Sequence, residues 1–265
     1  MQPILSRENQ KIKYASKLKN RKFRNSEHSF LIEGTKILEE ALKCPEIIVR
    51  IFVDQTKVEE YQELSEKHKS LEWYSVDTKL IEYISDAKTP QGIVAIARQP
   101  RCLWDELIAD SNLFILLDQI SDPGNMGTII RTAWAFGVDG ILLTHKCVDP
   151  FSPKAVRSSM GGIFNVPIFS SFGRQNIESL KEAGFSLMCS DLNTNNNYYS
   201  LDFNGKIVIV IGSEAHGVSN HIKTQCDIFF RIPTNPQVDS LNAAVASAII
   251  LNEAWKQKMD SSLFQ

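Results

Sequence analysis

Three stretches of this sequence combine residue types that a simple connector does not need. The first runs Asp118-Gln-Ile-Ser-Asp-Pro-Gly-Asn-Met-Gly-Thr-Ile-Ile-Arg131. Asp122-Pro123-Gly124-Asn125 is turn chemistry. A helix expected from about Met126 would open with free backbone N–H groups, a ready anion site. Arg131 then falls about two turns into that helix, although the same run also reads as a turn, a cap and a surface arginine. The second stretch is Ile211-Gly-Ser-Glu-Ala-His-Gly217. Gly212 and Gly217 allow a ligand close to the backbone. Glu214 can orient an arginine or accept hydrogen bonds. His216 could do acid/base work but ranks below Glu214, because a histidine in a glycine loop is more often structural. The third is Ile232-Pro-Thr-Asn-Pro-Gln-Val-Asp-Ser-Leu-Asn242, where Ser240 is expected to cap the last helix. Capping by Ser240 leaves Asn242, a small amide beside the apolar run Ala243 to Leu251, without a role.

Each loop follows a strand of buried type. Leu113–Leu117 and Lys206–Ile211 are near-continuous apolar runs, as in parallel sheets covered on both faces. Ile228–Ile232 is a third such strand. Gly140–Leu143, Val166–Ile168 and Phe185–Cys189 add further strands, with helices near Pro153–Ser159, Ile177–Ala183 and Ser240–Lys256 between and after them. Ligands of such sheets bind beyond the carboxyl ends of the strands, which is where the three loops lie. Upstream, strands at Ser29–Glu33, Ile47–Val53, Glu72–Val76 and Gly92–Ala97 alternate with helices at Gly34–Leu42, Lys57–Lys69 and Lys79–Ile84. The expected layout is therefore α/β throughout: a smaller domain over 1–98, a linker or bridging helix over 99–112 around Trp104, and a mostly parallel domain over 113–265.

Composition narrows the function. Of 265 residues, 43 % are hydrophobic and 23 % charged, which is globular. No apolar run approaches the ~18–20 residues of a membrane span. Cys44, Cys102, Cys147, Cys189 and Cys226 are scattered and odd in number, suiting buried thiols in a reducing cytoplasm. The pairs His216/His221 and His145/Cys147 lack further ligands at metal-binding spacing, so no metal is expected. There is no GxGxxG and no GxxxxGK[ST] nucleotide loop. The net charge of −2 is uneven: residues 1–30 carry eight basic side chains (Arg7, Lys11, Lys13, Lys17, Lys19, Arg21, Lys22, Arg24) against Glu8 and Glu27, leaving −8 for the rest. Such a segment can contact phosphate as a basic arm, and the spacing of Ile12, Ala15 and Leu18 predicts that it docks as a helix.

The three loops together resemble the signature motifs of the SpoU/TrmH branch of the SPOUT RNA methyltransferases. Asn125, Gly127 and Arg131 look like Asn-x-Gly-x-x-x-Arg, continued by Ala135-Phe-Gly137. Gly212, Glu214 and Gly217 look like Gly-x-Glu-x-x-Gly. Ile232, Pro233, Ser240, Leu241 and Asn242 look like Ile-Pro followed by Ser-Leu-Asn. Lys154-Ala-Val-Arg157 with Gly161 is similar to another family stretch, and Phe30–Gly34 with Gln91–Ile96 looks like the RNA substrate-binding domain that precedes the catalytic one.

The resemblance implies a 2′-O-ribose methyltransferase, on large-subunit rRNA first and tRNA second; the rival is a catalytically silent RNA-binding or ribosome-assembly factor. It further implies S-adenosylmethionine as cofactor, a C-terminal trefoil knot and a homodimer through the methyltransferase domain. Gly212, Gly217, Ile232, Pro233 and Leu241 are then the cofactor contacts. Arg131, Asn125, Glu214, Ser240 and Asn242 are the catalytic set, with Arg131 held by Glu214 and the ribose and phosphate positioned by Asn125, Ser240 and Asn242. A guanidinium with a pKa above ~12 is a poor base, so Arg131 is expected to stabilise developing negative charge. Thr234, Pro236 and Ala244 depart from the common pattern, and Pro236 excludes a positive-φ turn at its position.

Overall fold

The computed structural model describes residues 1–262. The chain divides into two compact units, Met1–Arg101 with Asp149–Phe164, and Cys102–Val148 with the residues from Asn165 onward. The expected boundaries place 149–164 in the second unit; in the structure they pack within the first.

The first unit contains β1 (Gln2–Ile4), α1 (Gln10–Lys17), α2 (Arg21–Glu27), β2 (Ser29–Glu33), α3 (Thr35–Ala41), β3 (Ile48–Asp54), α4 (Gln62–Lys67), β4 (Trp73–Val76), α5 (Thr78–Ile84) and β5 (Ile93–Arg98). Its sheet runs β1-β4-β3-β5-β2, with β1, β4 and β3 parallel and β5 antiparallel to both neighbours. The basic segment is no free arm. Asn9 and Asn20 cap α1 and α2 through their side chains. Ile12, Ala15 and Leu18 are fully buried against a core that includes Phe52, Ile81 and Val94, so the helical spacing read from the sequence is realised. Of its eight cations, Arg24 is buried, Lys19 donates to the carbonyls of Tyr83 and Ser85, and Lys13 pairs with Glu8.

The second unit contains α6 (Trp104–Ala109), β6 (Leu113–Asp118), α7 (Pro123–Ala135) and β7 (Gly140–Thr144). After α8 (Pro153–Ser159), which belongs to the first unit, it continues with β8 (Ile168–Phe172), α9 (Arg174–Glu182), β9 (Ser186–Ser190), β10 (Ile207–Gly212), α10 (Asn220–Lys223), β11 (Ile228–Phe230) and α11 (Ala243–Ser262). The sheet order is β11-β9-β10-β6-β7-β8, and every pairing is parallel. Apolar residues on both faces of β6 and β10 explain the centre: Phe114, Ile115, Leu116 and Val208, Ile209, Val210 are all fully buried. β8 begins at Ile168 rather than Val166, because Pro167 cannot donate to the ladder. It continues through two serines that hide it from the hydrophobic pattern, with Ser171 at positive φ where the register shifts.

Segment 149–164 is fixed by charge and by rings. Arg24 donates from Nε and Nη2 to Asp149 Oδ2 (2.8 and 2.6 Å) and from Nη1 to the carbonyls of Leu18 and Lys19 (2.8 Å each). Arg157 lies 3.2 Å from Glu33 and 3.3 Å from Asp86. Phe30 packs on Phe151 and Phe164, with centroids 5.1 and 6.1 Å away. Among the described residues no helix is long and apolar enough to cross a membrane, and no cluster of His, Cys, Asp and Glu is placed to hold a metal. All five cysteines are free thiols; Cys44 is exposed rather than buried.

Candidate active site

β6 and β10 are neighbours in register, with Asp118 opposite Gly212, so the loops that leave them start side by side. Asp118 ties this edge together: its buried carboxylate accepts from Thr144 Oγ1 (2.9 Å) and from the Ser219 N–H (2.7 Å). α7 starts at Pro123, three residues before the expected Met126. Asp122 caps it by accepting from the Asn125 N–H (2.9 Å), and proline suits the first helical position, which needs no donor. This helix start is therefore capped by a carboxylate, whose negative charge disfavours the open anion site expected from the sequence.

Glu214 is the hub of the three motifs. Its Oε1 accepts from Asn125 Nδ2 (2.5 Å), from the Ala243 N–H (3.2 Å) and from Asn242 Nδ2 (3.5 Å). It makes no hydrogen bond or ion pair with Arg131, contrary to expectation. Arg131 lies exposed on α7 and has no hydrogen bond or ion pair among the described residues. Asn242, not Ser240, caps the last helix: its Oδ1 accepts from the N–H groups of Ala244 (2.9 Å) and Val245 (3.3 Å). Its Nδ2 also donates to Asn125 Oδ1 (3.0 Å). Capping thus does explain Asn242, and α11 begins at Ala243 rather than Ser240. The interlocked amides of Asn125 and Asn242 bind the starts of α7 and α11 to the loop after β10.

The two glycines of the second motif have separate reasons. A Cβ on Gly212 would stand 2.0 Å from the Gly217 carbonyl carbon and 2.2 Å from the Val218 nitrogen, so the chain doubles back across the space a side chain would fill. Gly217 has φ of 62° and donates to the Ser213 carbonyl (2.8 Å), closing that turn. In the third motif Asn235, Pro236, Gln237 and Val238 form a turn closed by the Val238 N–H on the Asn235 carbonyl (2.9 Å). Residues 232–242 contain no positive φ, so Pro236 takes the position proline favours in such a turn.

The second and third loops, with residues after β9, enclose a cleft of about 410 Å³. Gly212, Gly217, Ile232 and Leu241 line it, with Glu214 and Ser240 at its wall; Pro233, Asn125, Arg131 and Asn242 do not. Among the described residues no hydrogen bond satisfies the N–H of Ile232 or of Leu241. Unpaired amides beside half-buried apolar side chains suit a ligand with a flat apolar ring and polar edges.

Residues 112–252 match the SpoU rRNA Methylase family. The chain belongs to the SpoU rRNA methylase family. Residues 9–95 match the MRM3-like substrate binding domain. Over 252 residues this SpoU methylase is 32% identical to the 23S rRNA (guanosine(2553)-2'-O)-methyltransferase RlmP of Bacillus subtilis (strain 168), covering 95% of this chain and 98% of that protein. It is similar to the AdoMet-bound rRNA methyltransferase of Sinorhizobium meliloti (TM-score 0.85, 30% identity, 96% of this chain and 97% of that one). It is also similar to the SpoU methyltransferase AviRb of Streptomyces viridochromogenes in complex with AdoMet (TM-score 0.86, 27% identity, 95% and 98%). As a SpoU methylase the chain is an S-adenosylmethionine-dependent RNA methyltransferase, as its three loops imply. The cleft fits that cofactor by the donors and apolar faces just described.

Sequence reasoning missed one wall of the SpoU cleft. Asp191 and Asn193 follow β9, and Lys223 ends α10; all three line the cleft. Lys223 Nζ donates to Asp191 Oδ2 (2.7 Å), and the Asn193 N–H and Nδ2 donate to Oδ1 (3.0 and 3.2 Å). Burial raises the Asp191 carboxyl, but the Lys223 and Asn193 hydrogen bonds lower it by more and leave it below the ordinary carboxylate range. The available signal was that Ser190-Asp191 ends a strand. That β9 borders β10 is a fact of sheet order, which the sequence does not display.

Proposed function

We propose that this SpoU methylase transfers a methyl group to a ribose 2′-hydroxyl of large-subunit rRNA. The observation that carries the reading is the Glu214 hub. It joins the cleft of Gly212, Ile232 and Leu241 to the start of α7, and α7 presents an exposed Arg131 that has no side-chain partner among the described residues. S-adenosylmethionine, when bound, supplies an electrophilic methyl carbon. The backbone N–H groups of Ile232 and Leu241 hold the cofactor, Gly212 and Gly217 let it approach the chain, and Pro233 fixes the loop's direction. Arg131 donates to the 2′-oxygen or its neighbouring phosphate and stabilises negative charge as the hydroxyl proton passes to solvent water and the thioether S-adenosylhomocysteine is left behind. Ser240, exposed at the cleft wall, positions the ribose. Glu214, Asn125 and Asn242 hold these pieces in register, and the rate depends on that orientation.

Several finer features belong to the same proposal. The first unit, Met1–Arg101 with Asp149–Phe164, is the RNA-binding domain; the segment around α6 is the linker, and the remainder of 113–265 forms the catalytic domain, knotted as a trefoil. The enzyme works in the cytoplasm as a homodimer through that domain. Trp134 on α7 and Val245 on α11 support the dimer, being exposed apolar residues on two helices that pack together. The near-complete overlap with RlmP supports rRNA over tRNA. The test is incubation with labelled cofactor and total RNA, followed by nucleoside mapping. The expected product is a single 2′-O-methylnucleoside in large-subunit rRNA; label on tRNA, or none on any RNA, overturns the assignment. Arg131→Ala should lower transfer at least ~100-fold while cofactor affinity stays within a few-fold; surviving activity removes Arg131 from the mechanism.

A further inference from the structure

We infer that the Asp191–Lys223 pair reads the vicinal diol of the cofactor's ribose, one hydroxyl donating to Asp191 and the other accepting from Lys223. The pair lines the same cleft as Glu214 and belongs to none of the three motifs. An ionised carboxylate offers about four acceptor sites. Three of Asp191's are taken by Lys223 Nζ and the two Asn193 donors, leaving one. An ammonium offers three donors, and one of Lys223's is spent on Asp191. One free acceptor beside two free donors is complementary to a diol.

Charge points the same way. Lys223 already neutralises Asp191, so the pair has little to gain from a cationic sulfonium or ammonium and suits neutral hydroxyls. The pair is also rigid. Asp191 is anchored by its own N–H to the Phe230 carbonyl (2.8 Å), and its side chain is only 14% exposed, against 27% for Lys223. Pre-set geometry of this kind allows a site to reject an analogue that lacks the hydroxyl, because a polar group would be left unpaired.

The inference rests on this cleft being the cofactor site, and binding measurements separate the two. By calorimetry, the wild-type enzyme should bind S-adenosylhomocysteine and bind its 2′-deoxy and 3′-deoxy analogues about 10- to 100-fold more weakly. Asp191→Asn should weaken S-adenosylhomocysteine about tenfold or more and shrink the preference over at least one deoxy analogue to within about threefold. Lys223→Met, which leaves the strands untouched, should shrink the preference for the other. Unaltered discrimination in both variants overturns the inference, as does an equal loss for all three ligands, the signature of a merely structural pair. A selective loss of S-adenosylmethionine over S-adenosylhomocysteine overturns it too, by assigning Asp191 to the sulfonium. Failure of the wild-type enzyme to bind S-adenosylhomocysteine at all overturns the cofactor site itself.

Discussion

Replacing Glu214 by alanine should damage catalysis far more than stability. In the structure one oxygen, Oε1, receives the Asn125 amide at 2.5 Å, the Ala243 N–H at 3.2 Å and the Asn242 amide at 3.5 Å. The last is too long to count for much. Hydrogen bonds to a charged group contribute about 1.5–3 kcal/mol each, and the carboxylate also stands at the N-terminal end of α11, where negative charge is favoured. The side chain is half-buried, so water can replace part of what is lost, and about 2–3 kcal/mol for the two shorter bonds is a fair figure. Those bonds hold the loop after β10 to the starts of α7 and α11. If their loss falls on transition-state geometry, kcat/KM drops about 30- to 150-fold at 1.36 kcal/mol per tenfold. Glu214→Gln keeps an oxygen at the same place and should stay within about fivefold of wild type. Methyl-transfer rates, thermal melting and S-adenosylhomocysteine affinity of both variants decide the matter. Alanine within threefold of wild type refutes the hub. Glutamine as poor as alanine shows that charge, not the acceptor's position, carries the effect.

Gly212→Ala places a methyl 2.0 Å from the Gly217 backbone, so the loop must move by more than an ångström and cofactor affinity should fall below detection in calorimetry; near-normal binding would mean that the turn is freely remodelled. Asp149→Ala strands the guanidinium of Arg24 and should cost about 3–5 kcal/mol in urea unfolding, whereas the double change Arg24→Met with Asp149→Leu should restore most of it. Equal destabilisation by the single and double variants would count against the ion-pair account. Neutralising Lys11, Lys17, Arg21 and Lys22 together should weaken RNA binding and flatten its salt dependence, with only a small fall in melting temperature from the lost contacts of Lys11 and Lys17 with the Tyr74 and Phe23 rings; an unchanged salt slope would clear this face of any role.

Strong periodicity was legible. The runs Phe114–Leu117 and Ile207–Ile211 announced the two central strands, and the three loops after buried strands meet through Asn125, Glu214 and Asn242, although only the second and third line the cleft. What stayed hidden depends on partners far away in the chain. Asn242 looked idle because its amide is used by Asn125, 117 positions earlier. Arg24 looked like an RNA contact until Asp149, 125 positions later, was seen to bury it. β1 escaped because Gln2–Ile4 is a three-residue edge strand, too short to show alternation, and holds only by pairing with β4. Pro236 looked like a departure because the turn type was unknown, and an Asn-Pro turn without positive φ accommodates it.

The Asp149–Phe164 excursion makes the two units inseparable by a single cut. A protease nicking the chain near Arg101 would release nothing whole: the first unit would keep a gap where α8 belongs, and the second would carry sixteen residues with Phe151, Val156 and Phe164 stripped of their partners. The same holds over generations. A gene that lost the codons for Met1–Arg101 would have to rewrite those for Asp149–Phe164 as well, so the two parts of this enzyme can be traded only together.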